Sequence, residues 1–595
     1  MKPLLATVLV AALLLSACSA DKPESPGPAS AGASTALATL LDEHFEHSLV
    51  LDPKKATQMG DYRYNDRLAI TYSEEHRRAK RALDEEFLTR LLTIDRGDLS
   101  YQEKLSYDMF RVLREQSLEG DLYPSHLQPV NQFYLMTNTF AQLGSGEGVH
   151  PFQSVKDYDD FLSRANDFIA NVDHAISNMK IGVREGIVQP RVLVLKAVPQ
   201  IEAHLVDNVE DSIFWRPVAS MPDDFSPDER SRLERAYREA ITDKILPALE
   251  RLRNYVAEEY LAASRATVGL GDLPNGDAWY RYKVKQRTTT DMSPDEIHQI
   301  GLDEVARIHG EMRTVMDEVG FDGDLKAFFE YVNTDPQFYF DEPEQLIEGY
   351  QDMSDRIEAL SRKLFDVAPK TAFEVRRVEP FREASASGGS YQSGTADGSR
   401  PGIFYANAYN IKARPKWAME SLFLHEAIPG HHFQIALQQE NEELPRFRRF
   451  ARFTAYSEGW GLYAESLGKE MGVYTDPYQY FGALNAELWR AIRLVVDTGL
   501  HAKGWTRQDV LDFMYENSAV APARAISEAE RYMAIPGQAL AYKIGQLKIR
   551  EIRSAAEKRL GDRFDVIAFH REILKDGPMP LSMLEAKIDR WVESQ

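Results

Sequence analysis

Two segments of this chain open with the same four residues, Ser226-Pro227-Asp228-Glu229 and Ser293-Pro294-Asp295-Glu296. Each is a helix start. The serine caps a free N–H, the proline takes the first helical position, and the glutamate reaches back to the serine N–H. After Ser293, apolar residues Ile297, Ile300, Ile308, Met312, Val315 and Val319 recur mostly three or four apart until Gly320 stops the run. The same helical period is read at 73–92, from 226 to about Val256, and at 477–500, 507–518, 526–532, 536–560 and 566–574. The fold class expected is therefore mainly α. One stretch departs from it: Glu379 to Ile411 holds Gly388-Gly389, Asp397-Gly398 and Pro401-Gly402 around short aromatic and β-branched runs. That predicts a small sheet, a hairpin leading into an extended strand at 403–407.

The N-terminus reads as an address. A basic start, Met1-Lys2, precedes the apolar run Leu4 to Leu15, too short to span a membrane and right for an export signal. The run ends Leu15-Ser16-Ala17-Cys18, and Cys18 is the only cysteine in the 595 residues. A sole cysteine forms no internal disulfide. The pattern resembles a bacterial lipoprotein signal, with residues 1–17 removed and Cys18 lipidated. No acidic residue directly follows Cys18, which by resemblance to Gram-negative sorting rules favours the outer membrane. Residues 18–36 are rich in Ser, Ala, Gly and Pro and read as a flexible tether. No later segment has the eighteen uninterrupted apolar residues of a membrane span, so the expected membrane contact is the lipid anchor alone. The net charge of −22 opposes nucleic acid as a partner. Oligomeric state is not legible.

The chemistry is concentrated at 424–437, LHEAIPGHHFQIAL, where three of the fourteen histidines fall within eight residues beside a glutamate. Two histidines four apart on a helix can share a metal ion, with an intervening glutamate as base. Here the fourth position after His425 is Pro429, and the next histidines are His431 and His432. On a straight helix that spacing is a rise of roughly 9 to 10.5 Å, too far for one ion. Pro429 lacks the N–H owed to the His425 carbonyl, and Gly430 tolerates almost any dihedral. Together they predict a bulged helix that brings His425 and one of the pair to a shared ion, with Glu426 facing the reacting water. The third ligand expected is Glu458, in Tyr456-Ser457-Glu458-Gly459-Trp460-Gly461, where two glycines tolerated in a helix suggest close packing. Glu465 lies two turns on and is the candidate to orient a ligand histidine. The predicted strand containing Tyr405 and Asn407 is a candidate edge for pairing with an extended peptide.

The pieces HEAIPGHH, EGWGLYAE, VVDTGLH and RYMAIPGQALAYKIG together resemble the bacterial family called domain of unknown function 885, over roughly residues 40 to 590. Family members are often lipoproteins, grouped by fold and motif with the thermolysin-type zinc peptidases that use a glutamate as third ligand. The resemblance implies a two-lobed helical zinc-peptidase-like fold, with an N-terminal lobe over 37–290, a catalytic lobe over 291–590 and the small sheet beside the metal helix. It implies one zinc per chain, His425 and Glu458 as ligands, and Glu426 as general base. The second ligand stays open between His431 and His432, with His431 preferred and His432 then acting on substrate or oxyanion. Related peptidases take an oxyanion donor from a downstream helix. Tyr532 is the first choice and Tyr542 the second, with His501 and Arg524 as further candidates. An arginine near the cleft can bind a carboxylate bidentately.

The expected function is zinc-dependent hydrolysis of amide bonds in short or unfolded peptides of the bacterial envelope. A zinc amidohydrolase or esterase on non-peptide substrates is the alternative, and a non-catalytic ligand-binding lipoprotein the third possibility.

Overall fold

The computed structural model describes residues 31–379, 383 and 386–595. The Cys18 lipidation site lies outside them. Helices dominate, with one small sheet. The first helix, α1 (Ala31–Leu51), begins inside the segment read as a tether, because Leu37, Leu40, Leu41, Phe45 and Leu49 supply a buried face. Both capping boxes form: Ser226 and Glu229 exchange hydrogen bonds, as do Ser293 and Glu296. The long helix α2 (Val155–Glu185) centres a core drawn largely from residues 130–260, with Phe140, Phe161 and Phe168 in contact at its heart. From Ser293 runs α3 (Pro294–Glu318).

Packing crosses the boundary read at residue 290. The first helices dock onto the C-terminal half: Arg446 pairs with Asp42 and Glu46 of α1, and Arg448 reaches Gln102, Ser106 and the carbonyl of Asp576. Trp279 and Tyr280 share a core with Leu494, Ala541 and Ile544.

The sheet has three strands, β1 (Phe373–Arg377), β2 (Gly389–Gln392) and β3 (Gly402–Ala406), in the order β1-β3-β2. β3 pairs parallel with β1 and antiparallel with β2. It is the central strand, and all five of its residues are buried. The expectation of an edge strand at 403–407 is thus corrected: both backbone sides of β3 are taken, so it cannot pair with a peptide. Tyr405 is 8 % exposed and Asn407 1 %. Asn407 serves the fold, donating to the carbonyls of Glu383 and Ala386 and accepting from the Tyr409 N–H.

After the sheet come α4 (Met419–Glu426), α5 (His431–Glu440), α6 (Thr454–Met471), α7 (Pro477–Ala502), α8 (Pro522–Ala534) and α9 (Leu540–Leu560). The most extensive helix pairs are α3 on α7 and α6 on α9. The crossing of α6 and α9 is close because two glycines meet: a Cβ on Gly459 would stand 2.5 Å from the backbone of Gly545. Among the described residues, no helix is long and apolar enough to cross a membrane.

Candidate metal centre

The histidine stretch is two helices, not one bulged helix. α4 buries Phe423, Leu424 and His425 and ends at Glu426. Ala427 leaves helical dihedrals (φ −110°, ψ −104°), the Ile428–Pro429 peptide is cis, and α5 starts at His431. Gly430 is required at the restart. A Cβ there would lie 2.0 Å from the His425 carbonyl oxygen and 2.3 Å from that of Leu424. From α6, the Trp460 indole N–H donates to the Pro429 carbonyl at 2.8 Å, satisfying a buried acceptor in the break.

The break places His425 and His431 ring to ring, with centroids 4.6 Å apart. Glu458 Oε2 stands 3.6 Å from His425 Nε2 and 3.4 Å from His431 Nε2. Ligand atoms about 2.1 Å from a tetrahedral zinc stand about 3.4 Å from one another. One donor atom from each of the three residues lies within 4.8 Å of the others, an arrangement that can in principle hold a metal ion. No HExxH motif is present; the break substitutes for its spacing.

His425 is fixed from behind. Its Nδ1 contacts Glu465 Oε1 at 2.7 Å, and the other oxygen of that carboxylate accepts from Ser421. Arg490 donates to Glu465 at 3.1 Å. When the ring carries a single proton, this carboxylate contact places it on Nδ1, while Nε2 faces Glu458 and His431. The ring lies against α6 where there is no side chain. A Cβ on Gly461 would stand 2.7 Å from His425 Cε1. Burial opposes a charged His425, but Glu458 and Glu465 together outweigh it and hold the imidazole up at about 9. Burial likewise opposes a charged Glu458, and His425 and His431 outweigh it, keeping the carboxyl well below the usual range. The pocket therefore already favours positive charge between these groups. The His431 Nδ1 is buried and has no hydrogen-bond partner among the described residues.

Glu426, partly exposed, acts electrostatically on His425 and makes no ion pair or side-chain hydrogen bond among the described residues. His432 faces away, toward the sheet. Its Nδ1 lies 3.0 Å from the Tyr391 hydroxyl and its ring 4.8 Å from that of Phe373. Burial pushes it down to about 4, against a weaker pull from Glu440. One residue of helix turns it about 100° from His431.

The downstream candidates also sort. Tyr532, the first choice for the oxyanion, is 1 % exposed, donating to Glu528 at 2.5 Å and accepting from Arg493 Nε at 2.9 Å. Tyr542 is the tyrosine beside the histidines, its ring nearly parallel to that of His425 at 6.3 Å. His501 is buried with both nitrogens committed, Nδ1 to the Leu270 N–H and Nε2 to the Tyr532 carbonyl, and burial pushes it down to about 4. It ties α7 to α8 and does not face the cluster. Arg524 lies over the Trp489 ring at 5.4 Å. Sequence reasoning missed Tyr391, Arg490, Arg493 and Glu528. The three-residue spacing of Arg490 and Arg493 put them on one face of a helix, the one signal that was available.

The comparisons with known proteins can now be set beside this geometry. The family model described as "Bacterial protein of unknown function (DUF885)" matches residues 53–588. Among curated proteins none matches. A crystal structure of a candidate lipoprotein from Colwellia psychrerythraea superposes with a TM-score of 0.89 at 29 % identity, covering 95 % of this chain and 100 % of that one. A candidate lipoprotein of unknown function from Shewanella oneidensis gives 0.73 at 18 % identity, covering 92 % of this chain and 99 % of that one, a likeness of fold alone.

Proposed function

We propose that this chain, which belongs to the bacterial family DUF885, is a metal-dependent hydrolase of amide bonds in short or unfolded peptides. The observation that carries the reading is the convergence of His425, His431 and Glu458, with Glu458 Oε2 at 3.6 and 3.4 Å from the two Nε2 atoms and all three donor atoms within 4.8 Å of one another. Two imidazoles and one carboxylate suit zinc, one ion per chain. The arrangement resembles that of zinc peptidases that take a glutamate as third ligand. Zinc held there would polarise an amide carbonyl and make water a stronger acid.

The protein's own groups do the rest. Glu465 keeps the proton of His425 on Nδ1, so Nε2 offers its lone pair to the ion. The Glu426 carboxylate, which makes no ion pair or side-chain hydrogen bond among the described residues, takes a proton from the attacking water and returns it to the leaving amine nitrogen. Tyr542 is placed to donate to the carbonyl oxygen as charge develops on it. Arg531 and Gln538 both point N–H groups at its hydroxyl oxygen, each at 3.4 Å, which leaves the phenolic hydrogen for the substrate.

The address completes the proposal. Both solved relatives are described as candidate lipoproteins, and Cys18 is the chain's only cysteine. We place the protein in the cell envelope, lipid-anchored, at the outer membrane in a Gram-negative cell. The function is tested by incubating the mature protein with a mixed peptide library, with and without chelator. Chelator-sensitive cleavage that Glu426→Gln abolishes while keeping zinc is the expected result. Cleavage that survives both would end the proposal. The address is tested by fractionation: Cys18→Ser should leave the membrane fraction.

A further inference from the structure

Four arginines crowd one side of the candidate centre. Arg490 and Arg493 project from α7, and Arg524 and Arg531 from α8. Three of them connect to His425 or to the tyrosine beside it, and Arg524 lies within electrostatic reach of Arg490 and Arg493. Arg490 holds the carboxylate that holds His425. Arg493 lies over the Tyr542 ring at 4.7 Å, and that ring faces His425. Arg531 reaches the Tyr542 hydroxyl. Arg524 stacks on Trp489, whose indole N–H donates to Glu528.

Two carboxylates, Glu465 and Glu528, meet these arginines directly. Glu528 takes Arg493 at 2.8 Å and Arg531 at 3.2 Å, and also accepts from the Tyr532 hydroxyl. Glu465 is divided between Arg490, Ser421 and His425. Arg524 makes no ion pair among the described residues, and the buried Nε of Arg490 has no acceptor. In a chain of net charge −22, such an excess is not the average of the surface. Arg524 keeps exposed surface, yet the protein packed around its guanidinium pushes it below its ordinary pKa, Glu528 pulls it back, and the charges of Arg493 and Arg490 lower it further. An exposed guanidinium with no acid partner, set beside further arginines, is open to an incoming anion. A guanidinium over an aromatic ring, not paired with an acid, has N–H donors to offer a carboxylate.

We propose that this cluster, with Arg524 as the direct contact, receives the C-terminal carboxylate of a peptide substrate. This rests on the hydrolase reading above and gives it a substrate class: peptides cut next to a free C-terminus. In the balanced reaction the water oxygen bonds to the carbonyl carbon and the C–N bond breaks. One water proton goes to the leaving nitrogen through Glu426. The released fragment is the amino acid or short peptide whose carboxylate the arginines hold.

The test uses N-acetyl-tetra-alanine as free acid and as C-terminal amide. The wild-type protein should favour the acid in kcat/KM by about 10- to 100-fold, carried mainly by KM, as for a charge-assisted contact. Arg524→Gln should bring the ratio below about threefold, and Arg524→Lys should restore part of it. Equal rates for acid and amide, or an unchanged ratio in Arg524→Gln, would overturn the proposal. A second arm reads binding without turnover. Glu426→Gln is titrated calorimetrically with both peptides, alone and combined with Arg524→Gln. Tighter binding of the acid, lost in the double variant, upholds the carboxylate site even if no peptide is ever cleaved, in which case only the hydrolase reading fails. No preference for the acid in Glu426→Gln overturns the carboxylate site whatever the turnover.

Discussion

Gly461 matters to the candidate centre as much as a ligand does, because the His425 ring occupies the space its side chain would fill. Gly461→Ala separates metal binding from folding. Alanine favours a helix over glycine by about 1 kcal/mol, so the metal-free protein should melt no lower than wild type by much. Zinc affinity should fall at least tenfold, since the ring must shift off its line to Glu458 and His431. Equilibrium dialysis beside thermal melts checks both halves. Glu465→Gln removes the anionic acceptor of His425 Nδ1 and should cost about 10- to 100-fold in zinc affinity; an unchanged affinity would show that Glu465 serves the fold alone. At this scale the sequence was legible where a residue type had one reason to be present. His425, Glu426, Glu458 and Glu465 were read from spacing, and the two glycines of α6 from their helix penalty. The choice between His431 and His432 was not legible, because it depends on the dihedrals of the break, and neighbouring helical residues differ only in the face they present. Nor was the choice between Tyr532 and Tyr542. Each sits in a similar sequence setting, and only the packing of α8 on α7 and of α9 on α6 and α7 decides which reaches His425.

At the scale of elements, the break between α4 and α5 does what a bulge was expected to do, and does more. It sends His431 to the centre and lets α5 run on with His432 against the sheet, tying the two together through Tyr391. Trp460 is the residue of α6 that holds the break. Trp460→Phe should lose about 1–2 kcal/mol from the unmet Pro429 carbonyl and weaken zinc binding as well, because the restart of α5 loosens. Chemical denaturation with and without zinc gives both numbers. A loss of stability with zinc affinity intact would show that the break does not position His431. The helices themselves were legible from periodicity and capping, in one case, 566–574, to the residue. The sheet was legible only in part. β3 carries its aromatic run openly, but its parallel partner β1 alternates charged and apolar residues some thirty positions earlier, and no local signal announces the pairing.

At the scale of the molecule, buried histidines set a limit in acid. Burial pushes His150, His432, His501 and His570 down to about 4, and His44 to about 3. In the unfolded chain each would take up a proton near 6.5. Between those values the unfolded state binds more protons, so stability rises with pH across the window and is lost as pH falls from 6.5 through 4. The melting temperature should therefore drop steeply over that interval. A flat profile down to pH 4 would mean that these rings are not buried neutral. The long-range packing behind this, with α1 docked on residues 446–449 and the core of 279–284 shared with α7 and α9, was outside the reach of local pattern. Its contacts run across residue 290.

The central claim is that His425, His431 and Glu458 hold one ion, and anomalous diffraction at the zinc edge from crystals grown with zinc tests it most directly. A single strong peak per chain is expected, bonded to His425 Nε2, His431 Nε2 and a Glu458 oxygen at about 2.1 Å, with His432 still against Tyr391. No peak at this position under saturating zinc, or a peak ligated by His432 in place of His431, would contradict it.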